Sequence, residues 1–218
     1  IVVVVSAMGD ATDDLIDLVG KLSTKPPVRE YDVLLSTGEI VSAALLATAL
    51  DARGCKAVSM TGTQIGIRTD GVYTKAKIVD IDVSRIRREL DAGYVVTVAG
   101  FQGIDERGEM TTLGRGGSDT TAVALAAALS AEACEIYSDV DGVFSADPRV
   151  VPDAKKLAQL SYEEMQELAS AGAKVLNAQA VEFARQKGIA ILARSSFGGG
   201  AGTAIQGGAG REDGRVKS

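Results

Sequence analysis

The residues best equipped for chemistry lie in Thr111-Thr112-Leu113-Gly114-Arg115-Gly116-Gly117-Ser118-Asp119-Thr120-Thr121-Ala122. Its glycines let backbone approach a ligand closely and adopt positive φ, Ser118 and Asp119 are good N-cap residues, and Ala122–Ala128 favours helix. Amide groups at a helix start, with the Arg115 guanidinium beside them, make an anion site. An ordinary strand-to-helix turn uses the same residue types, so this stretch alone leaves both readings open. Ser36-Thr37-Gly38-Glu39 opens an apolar helical run to Arg53. It either caps that helix with a dipole-favoured carboxylate or aims Glu39 into a cleft as a selector of a substrate ammonium. Ser138-Asp139-Val140-Asp141-Gly142-Val143-Phe144-Ser145-Ala146-Asp147-Pro148-Arg149 follows an apolar strand. Its acids and hydroxyls suit a nucleotide and Arg149 its phosphates, while Asp147-Pro148 alone reads as a turn. The paired aspartates do not have EF-hand spacing. Lys174 is either a solvated cation between helices or a phosphate ligand.

What is absent narrows the chemistry. The 218 residues contain no histidine. That excludes Ser-His-Asp and Cys-His nucleophile systems, the HExxH metal motif and most zinc sites. Lys, Arg, carboxylates, hydroxyls and amides remain, a set suited to phosphoryl transfer, where positioning and charge neutralisation dominate. Neither GxGxxG nor GxxxxGK[ST] occurs, so a nicotinamide Rossmann enzyme and a Walker-A ATPase are both disfavoured. A net charge of −6 argues against nucleic-acid and anionic-membrane partners and suits a cytoplasmic protein. Cys55 and Cys134 lack CxxC spacing and read as reduced core cysteines.

The elements that must position these residues alternate. With 46% hydrophobic residues and mean hydropathy +0.13, one α/β domain with a large buried sheet is expected. Strands are predicted at Ile1–Val5, Lys56–Met60, Ala76–Val79, Tyr94–Phe101, Cys134–Tyr137 and Ile189–Ala193. Helices are predicted at Leu15–Leu22, capped by Thr12 or Asp13, and at Glu39–Arg53, Val83–Ala92, Ala122–Ala128, after a capping box at Ser161-Tyr162-Glu163-Glu164, and through Arg185. Pro26-Pro27 breaks the chain after the first helix. Residues 62–71 and 102–109 read as loops, and the tail from Gly198 is rich in Gly, Ala and charge. This order predicts a mostly parallel sheet with helices on both faces.

Val5-Ser6-Ala7-Met8-Gly9, Ser36–Glu39, Gly100-Phe101-Gln102-Gly103, Thr111–Ala122, Tyr137–Arg149 and Gly172–Leu176 stand in the order found in aspartate kinases of the amino-acid kinase family. The chain resembles that family from Ile1 to about Thr203. The resemblance implies a three-layer αβα sandwich with a mostly parallel central sheet. It implies transfer of the ATP γ-phosphoryl group to the side-chain carboxylate of L-aspartate, the entry to lysine, threonine, methionine and diaminopimelate synthesis. By position, Ser6, Thr12, Glu39, Phe101, Arg115, Ser118 and Asp119 would surround aspartate. Ser138, Asp139, Phe144 and Arg149 would surround ATP, with Phe144 where the family often has tyrosine. Lys174 would neutralise the transferring phosphoryl group and Asp119 would hold catalytic groups in position. Magnesium would ride on the ATP phosphates, without a dedicated protein metal site.

The resemblance carries three departures. The family's first strand ends in Lys-x-Gly-Gly-Ser/Thr, and the chain starts after that βα unit, about thirty residues, so little or no kinase activity is expected of it alone. The catalytic domain would be residues 1–203 and the tail 204–218. The paired ACT modules that bind effectors and build the family's homodimer do not follow. Asn177-Ala178-Gln179 stands where the family commonly has His-Pro-Arg. A different family member, or a catalytically silent nucleotide-binding subunit, are the competing readings.

Overall fold

The computed structural model describes residues 1–172 and 175–207. Two compact units divide the chain, Ile1–Leu129 and the residues from Ser130 onward.

The first unit is built on β1 (Val2–Val5), α1 (Ala11–Gly20), α2 (Val28–Asp51), β2 (Ala57–Met60), β3 (Ile67–Thr69), β4 (Ile78–Ile81), α3 (Ser84–Asp91), β5 (Val95–Ala99), β6 (Gln102–Ile104), β7 (Met110–Thr112) and α4 (Gly117–Leu129). β1, β5 and β2 form a wholly parallel sheet in that order, with Val2 opposite Val96 and Met60 opposite Val98. The two-residue period of a strand divides its side chains between faces. Val96, Val98 and Met60 are fully buried with Ile86 of α3 and Leu125 of α4, and Val2, Val4 and Val58 pack against them. On the opposite face lies α2, where Thr97 Oγ1 donates to the Ala43 carbonyl at 2.9 Å. Helices thus cover both faces, as the α/β pattern predicts.

α2 differs most from expectation. It starts at Val28, directly after Pro27, and runs 24 residues, so Ser36-Thr37-Gly38-Glu39 is helix interior and caps nothing. Pro27 sets the start, and no further proline interrupts the run. Gly38 is kept for contact: a Cβ there would lie 2.9 Å from Ala7 Cβ. By length and composition α2 could cross a membrane, yet it packs on β2, β5 and β7 and buries Asp32, Ser36, Glu39 and Ser42, the pattern of a core helix.

Four further expectations are corrected by the structure. α1 begins at Ala11 after Asp10, which makes no side-chain cap, so neither Thr12 nor Asp13 caps it. α4 begins at Gly117, placing Ser118 and Asp119 inside its first turn rather than at the cap. The presumed loops 62–71 and 102–109 contain β3 and β6, which join β4 and β7 in a second sheet, order β4-β3-β6-β7. Its β3–β4 and β6–β7 pairs are antiparallel. Cys134 is buried as expected, but Cys55 is exposed beyond the end of α2.

The second unit contains β8 (Cys134–Ser138), β9 (Gln159–Leu160), α5 (Tyr162–Ser170), α6 (Ala178–Lys187), β10 (Ile191–Ser195) and β11 (Thr203–Ile205). Its sheet has the order β8-β10-β11-β9, parallel except for β10–β11. Ile205 is fully buried in β11, so ordered structure continues past residue 203, where the sequence placed the start of the tail. Residues 208–218 lie outside the described residues.

The capping box forms as read: Ser161 Oγ accepts from Glu164 N, and Glu164 Oε2 accepts from Ser161 N at 2.8 Å. Replacing Ser161 with Ala should cost about 1 kcal/mol, measurable as a lowered urea midpoint with an unchanged slope. Asn177 caps α6, its Oδ1 accepting from Gln179 N at 2.8 Å and Ala180 N at 3.2 Å. The Asn-Ala-Gln departure therefore preserves a well-capped helix start.

Candidate functional site

Parallel pairing brings the carboxyl ends of β1 and β5 side by side, Val5 opposite Ala99. Ser6-Ala7 and Gly100-Phe101 leave the sheet together there, at the edge where open α/β sheets bind ligands. Ser6 is exposed and Thr12 is half-buried in the first turn of α1. Gly100 lies against the start of α4: a Cβ on it would meet Ser118 Oγ at 2.8 Å and Ser118 Cα at 3.0 Å. Phe101 takes a left-handed φ of 68°, and its amide donates to Thr121 Oγ1 at 3.2 Å. Leu113 N donates to the Phe101 carbonyl at 2.9 Å, which fixes where the Gly114-Arg115-Gly116 turn begins. Arg115 is exposed in that turn, and Ser118 and Asp119 are half-buried in the first turn of α4.

α2 brings Glu39 to the same edge. Its Oε1 accepts from Ala7 N at 3.1 Å, a contact that the close approach at Gly38 allows. The residue is 4% exposed, and Oε2 is buried with no hydrogen-bond donor among the described residues. Burial pushes the carboxyl above the usual glutamate range, and the Ala7 amide offsets only part of that rise. A buried carboxylate oxygen without a donor is costly, and an ammonium group would satisfy it. Glu39 therefore does not cap α2, which begins at Val28, and its buried Oε2 is open to a donor.

Sequence reading missed the supports of this edge. Gln102, fully buried, donates through Nε2 to the Ser36 carbonyl at 2.9 Å. Asp32, also fully buried, accepts from Thr74 and Thr112. Asp32, Ser36 and Glu39 are spaced i, i+4, i+7, one face of a helix, a signal that was legible once the helix was extended back to Val28.

The second unit holds the other set. Ser138 ends β8 and its Oγ accepts from Val140 N at 3.3 Å. Asp139 is exposed, and Phe144 forms an isolated bridge with Lys156. Arg149 is 88% exposed in its side chain and paired with Asp147 at 2.9 Å, which holds the Asp147 carboxyl below its usual range. Asp141 pairs with Lys156 at 3.0 Å. Lys174 lies outside the described residues.

A buried carboxylate and an arginine turn thus meet at the carboxyl edge of a parallel sheet, where open α/β folds bind small molecules. The amino acid kinase family model matches residues 1–194, and the chain belongs to that family. It is 58% identical over 206 residues to the aspartokinase of Bacillus sp. (strain MGA3), covering 94% of this chain and 50% of that protein. The crystal structure of aspartate kinase from Synechocystis superposes with a TM-score of 0.83 at 52% identity, covering 96% of this chain and 35% of that one. Aspartokinase III of E. coli, crystallised with aspartate and ADP, gives 0.80 at 31% identity, covering 91% and 45%. The chain spans about half the length of the curated relatives it matches.

Proposed function

We propose that the chain carries the catalytic residues of an aspartate kinase, which transfers the ATP γ-phosphoryl group to the side-chain carboxylate of L-aspartate to give 4-phospho-L-aspartate. The observation that carries this reading is the buried Glu39 Oε2, without a donor among the described residues, beside the Ala7 amide: a receptor for an α-ammonium. The likeness to aspartokinases supports the acceptor's identity. Arg115 offers a forked donor to a substrate carboxylate, and Ser6, Thr12, Phe101 and Ser118 complete the aspartate pocket. Asp119 orients the reacting groups and Lys174 neutralises the transferring phosphoryl charge. Aspartate needs no general base, because its carboxylate is ionised near neutral pH.

Ser138, Asp139, Phe144 and Arg149 are assigned to the nucleotide, with Arg149 exchanging Asp147 for phosphate oxygens. No cluster of three or more Asp, Glu or Cys able to hold a metal exists among the described residues. Mg2+ is assigned to the nucleotide phosphates, where phosphoryl transfer uses it. The catalytic domain is assigned to residues 1–205, through the end of β11, of a cytoplasmic enzyme that works as a homodimer.

The test is ATP turnover with and without L-aspartate, in the wild type and in site variants. Arg115→Ala should lower kcat/KM for aspartate by about a hundredfold, because the fork is lost while the ammonium site stays. ATP consumption that ignores aspartate in every form would end this reading.

A further inference from the structure

Asp32 makes four contacts, all with uncharged donors. Its Oδ1 and Oδ2 accept from Thr74 N at 3.1 and 2.9 Å. Oδ2 also accepts from Thr112 N at 2.8 Å, and Oδ1 from Thr112 Oγ1 at 2.9 Å. A carboxylate accepts only, with room for about four donors, whereas an asparagine amide would set NH2 against an N–H. The site is thus matched to Asp and is wholly buried.

Both anchored residues bear on the turn that carries Arg115. Thr112 ends β7, two residues before Gly114. Thr74 holds a left-handed φ of 65°, a strained conformation for a β-branched residue that persists only where surroundings impose it. Its carbonyl seats the turn: a Cβ on Gly114, itself at φ 78°, would lie 3.1 Å from Thr74 O. Ala76 N donates to the Thr112 carbonyl at 2.9 Å, tying the same two segments again.

We propose that Asp32 is a positioning residue for acceptor binding: by clamping Thr74 and Thr112 it fixes the Gly114–Gly116 turn and, through it, the guanidinium of Arg115. The proposal rests on the aspartate reading above for its substrate but not for its geometry. Asp32 touches no substrate in this account and acts through Arg115.

The experiment compares wild type, Asp32→Asn, Arg115→Ala and the double variant. L-aspartate and ADP affinities are measured by calorimetry, with hydrogen exchange of the peptide spanning 113–117. Asp32→Asn should weaken L-aspartate binding about tenfold, leave ADP binding unchanged and speed exchange in 113–117 above the rest of the first unit. In the Arg115→Ala background it should weaken aspartate binding no further. Thr112→Val, which removes one contact, should act in the same direction by about threefold, and it decides by the same criteria if Asp32→Asn does not fold. Wild-type aspartate affinity in Asp32→Asn, an undiminished loss in the Arg115→Ala background, or exchange raised evenly across residues 1–129 would each overturn the proposal. If wild type binds no L-aspartate, the aspartate reading falls, and exchange in 113–117 alone decides whether Asp32 holds the turn.

Discussion

Glu39→Gln is expected to weaken L-aspartate binding by at least about a hundredfold, consistent with the roughly 2–5 kcal/mol lost when one partner of a buried charge pair is removed. The same change should leave the melting temperature unaltered or raise it. Glutamine keeps the acceptor for the Ala7 amide and removes a charge that burial already disfavours. The pH dependence follows. The folded pKa is raised, so the protonated carboxyl stabilises the fold at low pH, and that contribution is lost as pH rises through the folded value. Binding of an ammonium needs the ionised form and runs the opposite way. Aspartate affinity should therefore fall on acidification at a higher pH than an exposed glutamate would give, and Glu39→Gln should abolish that step. Calorimetry across pH, beside thermal melts, reads both. A variant that binds aspartate normally would remove Glu39 from the site.

Gly100→Ala should be the most damaging conservative change at this edge. The added methyl would meet Ser118 at Oγ, Cβ and Cα, the last at 3.0 Å. A rotamer change relieves the first contact only, so the start of α4 must move. That displaces Ser118 and Asp119 and strains the bond from Phe101 N to Thr121 Oγ1. Overpacking of this kind costs about 1–3 kcal/mol, and a displacement near 1 Å can lower productive binding by about a hundredfold. Gly108→Ala is the control: its φ is 81° but nothing lies within 4 Å of the added carbon. It should lose about 1 kcal/mol of stability and no aspartate affinity. Urea unfolding and calorimetry separate the two, and equal behaviour of both variants would contradict this account.

The parallel strands were legible because Val2–Val5 is a continuous apolar run and Val95–Ala99 is broken only by Thr97, a pattern that two covered faces explain. α6 and the capping box were legible because their signals are local. The first half of α2 was not. Ser36-Thr37-Gly38 imitates a helix start, and the reason for Gly38 is Ala7, distant in sequence and adjacent only after folding. β3, β6 and β7 escaped for a similar cause: each is three residues long, and Thr69 of β3 with Thr111 of β7, joined at 2.7 Å, gives no alternating apolar pattern to read. At the site, the glycine–arginine stretch left turn and anion site both open, and Glu39 could be separated from a helix cap only once α2 was seen to begin at Val28. Asp32 was invisible as long as its helix was.

The order of strands β1-β5-β2 also constrains how the chain is made. Val2 pairs with Val96 and Ala57 with Val95, so both outer strands await a central one that is translated after them. At roughly 5–20 residues per second, the all-valine β1 spends on the order of ten seconds on a nascent chain before its partner exists. Slow closure of parallel pairs adds to that interval. β1, which later frames the candidate site, thus waits longest of the three strands for its partner.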